Sequence, residues 1–278
     1  MELLKSILLG IIQGLTEFLP VSSSGHLVLA QEIFGLSYNE AENLAFDVFL
    51  HFGTLVAICV VFRKTVWGII KAFFTSLKKL FTGKYRYSTL DRFEKMLLLM
   101  IISVIPLFAV LLLKDKIDAL FSSVLAVGIS LIVTAGLLFV ADMLTKKPRK
   151  TVEPKPLHGL IIGLFQAVAT VPGISRSGST ITGGLLCGLD KSFAVEFAFV
   201  MSIPAVLGAN ILEIFKVVKN GMETPFIYCL VGAAVAAVVG VGAIKLVELV
   251  SRKNKFIFFS IYCAAVGLFA VIWSIVVK

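Results

Sequence analysis

Two apolar regions of this chain, residues 3–34 and 157–190, are each broken at the centre by proline, glycine and serine. These breaks limit the fold more than anything else in the sequence. Backbone released from a helix at membrane depth survives only where protein or a polar cavity covers it. Six further stretches, roughly 44–62, 96–113, 124–144, 193–215, 226–250 and 256–277, are apolar over about the 20 residues a crossing helix needs. The chain is 58% hydrophobic and 15% charged, which excludes an ordinary soluble core. The expected fold is all-α: one integral membrane domain over 1–278, a polytopic helix bundle. It has six transmembrane helices and two helical hairpins that enter the membrane and turn back.

The first break reads QGLTEFLPVSSSGH over 13–26, the second QAVATVPGISRSGST over 166–180. An offset of 153 sets Gln166 on Gln13 and aligns Gly10, Ser22, Ser24 and Gly25 with Gly163, Ser175, Ser177 and Gly178. Pro20 and Pro172 miss register by one, Glu17 meets Thr170, and Ser23 meets Arg176. The pattern reads as a duplicated module, one copy acidic and one basic, with repeat halves of about 1–144 and 157–278. In each copy the proline stops the incoming arm by removing a backbone donor. The serines and glycines then favour a turn and a helix N-cap. The alternative is that residues 3–19 and 22–34 each cross the membrane. The second of those arms is short and carries Ser22, Ser23, Ser24 and His26.

The net charge of +9 does not point to nucleic acid, because the basic residues cluster between the spans. Segments 63–95, 145–156 and 251–255 are rich in Lys and Arg, whereas 35–43 holds Glu40 and Glu42 with no basic residue. The positive-inside rule puts the basic loops in the cytoplasm and both termini outside. Three spans separate the hairpins, an odd number, so they enter from opposite faces as an inverted repeat. Residues 66–82 have the spacing of an amphipathic helix lying on the cytoplasmic interface. Cys59, Cys187, Cys229 and Cys263 sit in apolar runs and read as small hydrophobes, not disulfides or metal ligands. The N-terminus shows no cleavage pattern of a signal peptide.

If the tips meet, Glu17, Ser22, Ser23, Ser24, Gly25 and His26 face Ser175, Arg176, Ser177, Gly178 and Thr180. Arg176 offers phosphate a planar fork of donors. Each tip also begins a half-helix whose free amides attract an anion. Glu17 is the single carboxylate in either tip. It could accept a proton, or hold a divalent cation that also binds phosphate. His26 could be a nucleophile or an acid/base. Ser23 could be a nucleophile activated by Glu17 or by His26. Plainer roles exist for each: Glu17 and Arg176 as a structural pair, His26 and the serines as caps, and Gln13 and Gln166 as interhelical bonds. Asp47 and His51 read as an interfacial pair that could extend the site. Glu196 and Glu213 carry no assigned role. A carrier of phosphorylated lipid would also use an inverted repeat of broken helices, but has less need of an acid beside an imidazole.

The 13–26 stretch and the run PGISRSGST over 172–180 resemble the undecaprenyl pyrophosphate phosphatase family of bacterial inner membranes, the type linked to bacitracin resistance. The resemblance extends over the whole chain. It implies hydrolysis of a C55 polyprenyl diphosphate to the monophosphate carrier of cell-wall synthesis. It also implies a divalent cation, magnesium or calcium, and often a homodimer. The family's acidic motif falls on Gln13 and Glu17, which makes them the candidate metal-binding pair. With Gln13 neutral, a site of two carboxylates is in doubt. Its serine and histidine positions fall on Ser22, Ser23 and His26. Its arginine motif falls on 172–177, with Thr180 following. Whether Ser23, His26 or a water attacks phosphorus stays open at this point.

Overall fold

The structure, a computed structural model, describes residues 2–34, 40–146, 151–220 and 225–276. Among these residues the regular structure is all helical, with no strand. In order the helices are α1 (Glu2–Thr16), α2 (Ser23–Phe34), α3 (Glu40–Val61), α4 (Arg63–Phe81), α5 (Arg92–Leu111), α6 (Lys114–Asp118) and α7 (Val124–Lys146). They continue with α8 (Pro156–Val168), α9 (Arg176–Leu186), α10 (Lys191–Asn220), α11 (Phe226–Arg252) and α12 (Ile257–Val276). Helices α5, α7, α11 and α12 and the Lys191–Gly208 part of α10 are long and apolar enough to cross a membrane. The sixth expected span, 44–62, falls in α3. It joins α4 at Phe62 through a 90° bend. The protein is therefore a multi-pass membrane protein.

The two broken regions form helical hairpins. Helix α1 packs on α2 and α8 packs on α9. Helix α1 has 15 residues and α8 has 13, against 12 for α2 and 11 for α9. At about 1.5 Å per residue none reaches the roughly 30 Å of a bilayer core. Backbone bonds from Glu17 to Gln13 (2.9 Å) and from Leu19 to Leu15 (3.0 Å) carry the helical path to Leu19, where Pro20 ends it.

Helix contacts are exchanged between the two halves. Helix α1 lies along α11, and α8 along α5; α3 meets α10, and α7 meets α12. Taking α8–α12 as the counterparts of α1, α2, α3, α5 and α7, each hairpin's first arm rests on the other half. Small residues allow these approaches. A Cβ on Gly10 would come within 2.7 Å of the Gly232 carbonyl, and one on Gly163 within 2.5 Å of the Ser103 carbonyl. Lipid offers no hydrophobic drive to join apolar helices, so such close van der Waals contact carries the association.

Helix α4 turns aside and exposes Trp67, Phe73, Phe74 and Phe81, as expected for an interfacial anchor. The buried carboxylate of Glu94 ties it down. Glu94 accepts from Lys79 Nζ (2.7 Å) and, in a capping box, from the Asp91 amide (2.9 Å). Glu196 pairs with Arg92 and accepts from Thr65 (2.5 Å), so it joins α10 to α4 and α5. All four cysteines are free. The side chains of Glu40, Glu42 and Glu213, and the residues Lys147, Arg149 and Lys150, lie outside those described.

Candidate active site

The two tips touch. A Cβ on Gly25 would lie 3.0 Å from the Gly173 Cα, and Ser177 Oγ donates to the Leu19 carbonyl across the gap (3.4 Å). Gly173 itself has φ of +91°, a backbone shape that L side chains rarely adopt. Both tips are pinned to spanning helices. Thr134 on α7 donates to the Gly173 carbonyl (2.9 Å) and accepts from the Ser175 amide (3.0 Å). Cys263 on α12 sits 3.8 Å from the Pro20 carbonyl.

The local bonding repeats across the offset of 153. Ser22 Oγ accepts from the Gly25 amide (3.3 Å) and meets Ser24 Oγ (3.3 Å). Ser175 Oγ accepts from the Gly178 amide (3.1 Å) and meets Ser177 Oγ (3.3 Å). The serines aligned in sequence thus perform the same capping, one at the start of α2 and one at the start of α9. Ser22 does so with φ of +74°, a strained position for a residue with a side chain.

Glu17 is the hub. Its neighbour Phe18 is buried edge-on to Phe199 (5.8 Å) and rests on Gly240, which fixes the backbone at the tip. One carboxylate oxygen accepts from Ser23 Oγ (2.7 Å) and Gln13 Nε2 (3.1 Å); the other pairs with Arg176. The Glu17 side chain is 5% exposed and that of Arg176 28%, so the acid is enclosed and the guanidinium opens outward. Of the two activators considered for Ser23, Glu17 is the one that contacts it. His26 points elsewhere. Its Nδ1 donates to the Ser22 carbonyl (2.8 Å), and its Nε2 meets the Tyr262 hydroxyl (2.8 Å).

The other predicted residues are placed as follows. Thr180 is buried and donates to the Arg176 (2.8 Å) and Ser177 (3.3 Å) carbonyls of its own helix. The Gly25 and Gly178 amides are used by the caps. His51, read above as interfacial, bonds back to the Asp47 carbonyl (2.8 Å). Tyr262 and Thr134 were not singled out in sequence. Their signal was a polar atom in an apolar span, which must find a partner when buried.

The oxygens of Gln13 and Glu17 are of the kind that fit a divalent cation. Gln13 Oε1 is buried with no hydrogen-bond partner among the described residues, and Gln13 lies about one helical turn before Glu17, to whose carboxylate its own amide donates. Two hard oxygens of this kind suit an ion that takes its remaining ligands from phosphate and water. No cluster of three or more His, Cys, Asp or Glu that could hold a metal ion exists among the described residues.

Known proteins resemble the chain over nearly its whole length. The chain is 39% identical over 274 residues to a protein of Halothermothrix orenii named undecaprenyl-diphosphatase, covering 98% of both chains. Proteins of the same name from Alkaliphilus metalliredigens (39% over 277 residues, 99% of this chain and 100% of the other) and Bacteroides fragilis (38% over 279 residues, 99% of both) are similar. The model of the family described as bacitracin resistance protein BacA matches residues 6–269. With both tip motifs joined at one place and the match running nearly end to end, the chain belongs to the bacitracin resistance protein BacA family.

Proposed function

We propose that this protein is an undecaprenyl-diphosphatase, which hydrolyses the C55 diphosphate to the monophosphate and free phosphate and so recycles a lipid carrier for cell-wall synthesis. The observation that carries this reading is the Glu17 carboxylate. It is bonded at once by Ser23 of its own tip and by Arg176 of the other. An acid, a hydroxyl and a guanidinium at one enclosed point are the parts of phosphoryl transfer.

In this mechanism the diphosphate draws Arg176 from Glu17, since its charge and paired oxygens suit the guanidinium fork better than one carboxylate oxygen does. The first-turn amides of α2 and α9 left free by the serine caps face the same anion. Ser23 Oγ bonds to the terminal phosphorus while its proton passes to Glu17. The bond from that phosphorus to the bridging oxygen breaks, and Glu17 returns the proton to the departing lipid monophosphate. A water then cleaves the phosphoserine: once the Tyr262 hydroxyl gives way, His26 Nε2 takes the water's proton, the water oxygen bonds to phosphorus as the bond to Ser23 Oγ breaks, and the proton passes from His26 through water to Ser23 Oγ as phosphate leaves. A divalent cation held by Glu17 and Gln13 would add charge neutralisation at the phosphate oxygens. The site lies between helices in a bundle, so the tail stays in lipid while the head group enters. On this reading the membrane is the bacterial inner membrane, with the basic loops on its cytoplasmic side as the positive-inside rule favours.

The test is phosphate release from undecaprenyl diphosphate by purified protein in detergent, with Mg²⁺, with Ca²⁺ and with a chelator. Release that the chelator stops supports the reading. No release at any divalent concentration, by protein that still binds the lipid, contradicts it and favours a carrier.

A further inference from the structure

The His26 ring is held on both nitrogens. A carbonyl can only accept, so the 2.8 Å contact of Nδ1 with the Ser22 carbonyl places a proton on Nδ1. In the neutral ring Nε2 then carries a lone pair, and the Tyr262 hydroxyl at 2.8 Å must be the donor. The two rings also stack, 5.5 Å between centroids and 8° from parallel. Tyr262 is 45% exposed and comes from α12, some 236 positions along the chain. The next residue, Cys263, touches the Pro20 carbonyl, so α12 grips the first tip on both sides of Ser22.

We propose that Tyr262 is a positioning residue for the reaction: its hydroxyl, donating to Nε2, and its ring, stacked on the imidazole, hold His26 in the orientation whose tautomer the Ser22 carbonyl sets at Nδ1. The stack fixes the ring plane, and the hydroxyl fixes rotation within it. Without the hydroxyl, the ring keeps its bond to Ser22 but loses the second point that defines where Nε2 lies. Misplacement of a reacting group by about 1 Å costs about a hundredfold in rate. The hydroxyl also marks the atom that must give way when substrate water approaches Nε2. This inference rests on the role given to His26 above.

The experiment compares Tyr262→Phe, Tyr262→Ala and His26→Ala in the full-length protein in detergent. Phe keeps the stack and loses only the hydroxyl. The expected result is a fall of about tenfold in kcat for Tyr262→Phe with KM nearly unchanged, and a larger fall for Tyr262→Ala. A second measurement is ¹⁵N NMR of protein labelled at histidine. There are three histidines, so single variants assign His26. Wild type should show a protonated Nδ1 and a hydrogen-bonded, unprotonated Nε2. In Tyr262→Phe the Nε2 signal should move toward that of a free pyridine-type nitrogen. If His26→Ala is inactive while Tyr262→Phe matches wild type in kcat and in its spectrum, the role of Tyr262 is wrong and the proposed site stands. If His26→Ala turns over like wild type, the role of His26 falls, and that of Tyr262 with it.

Discussion

At the scale of single residues, the account turns on which groups Glu17 can release. The pair with Arg176 is enclosed on the acid's side and open on the guanidinium's, so an anion reaches the arginine first. Arg176→Lys keeps the charge but replaces a planar fork with a point donor. We expect a loss of about a hundredfold or more in kcat, the size seen when one transition-state donor is removed. Phosphate release measures it, and near wild-type turnover would contradict the role of Arg176. Ser23 and Ser24 give a sharper contrast. Ser23 bonds the carboxylate, whereas Ser24 meets only Ser22 among the described contacts. Ser23→Ala should abolish phosphate release, and Ser24→Ala should leave more than a tenth of it. Equal losses would remove the nucleophile from Ser23.

At the scale of helices, the hairpins stay seated because small residues let them approach. Gly163→Leu puts a side chain where the Ser103 carbonyl already lies within 2.5 Å of a Cβ, so α8 must move off α5. Thermal unfolding in detergent should occur at clearly lower temperature, and activity should fall because Arg176 follows α8. Thr134→Val is a milder test. It strands the buried Ser175 amide and the Gly173 carbonyl, a cost of about 1–3 kcal/mol for a lost buried partner. Unchanged stability in that variant would show that α7 does not pin the second tip.

These elements also show what a sequence can and cannot reveal. Helices α5, α7, α11 and α12 were legible because a bilayer demands length and apolarity, and both are written along the chain. The tips were legible because polar residues at membrane depth are costly and stand out. The serine caps were foreshadowed by the offset of 153, which placed Ser175 on Ser22. The partners were not legible. Nothing local to Gly10 or Gly163 says which helix each meets, because that pairing joins residues 60 or more positions apart. Tyr262 sits in an unbroken apolar run, and its contact with His26 exists only once α12 crosses the first tip.

At the scale of the whole molecule, the exchanged contacts α1 with α11 and α8 with α5 bind the halves into one body, and the site exists only where they join. Orientation is testable separately. In a cysteine-free background, a cysteine at Lys84 should react with an impermeant thiol reagent only from the cytoplasmic side. One at Lys116 should react only from outside. Reaction of both from one side would overturn the odd number of spans between hairpins, and with it the opposed entry of the tips. The central claim is that one diphosphate is held by both tips together. The direct measurement is a crystal structure with a methylene-bridged, non-hydrolysable diphosphonate lipid. The account predicts phosphonate oxygens within hydrogen-bond distance of both the Arg176 guanidinium and the first-turn amides of α2, with Arg176 drawn off Glu17. A diphosphonate bound to one tip alone, with the Glu17–Arg176 pair intact, would contradict it.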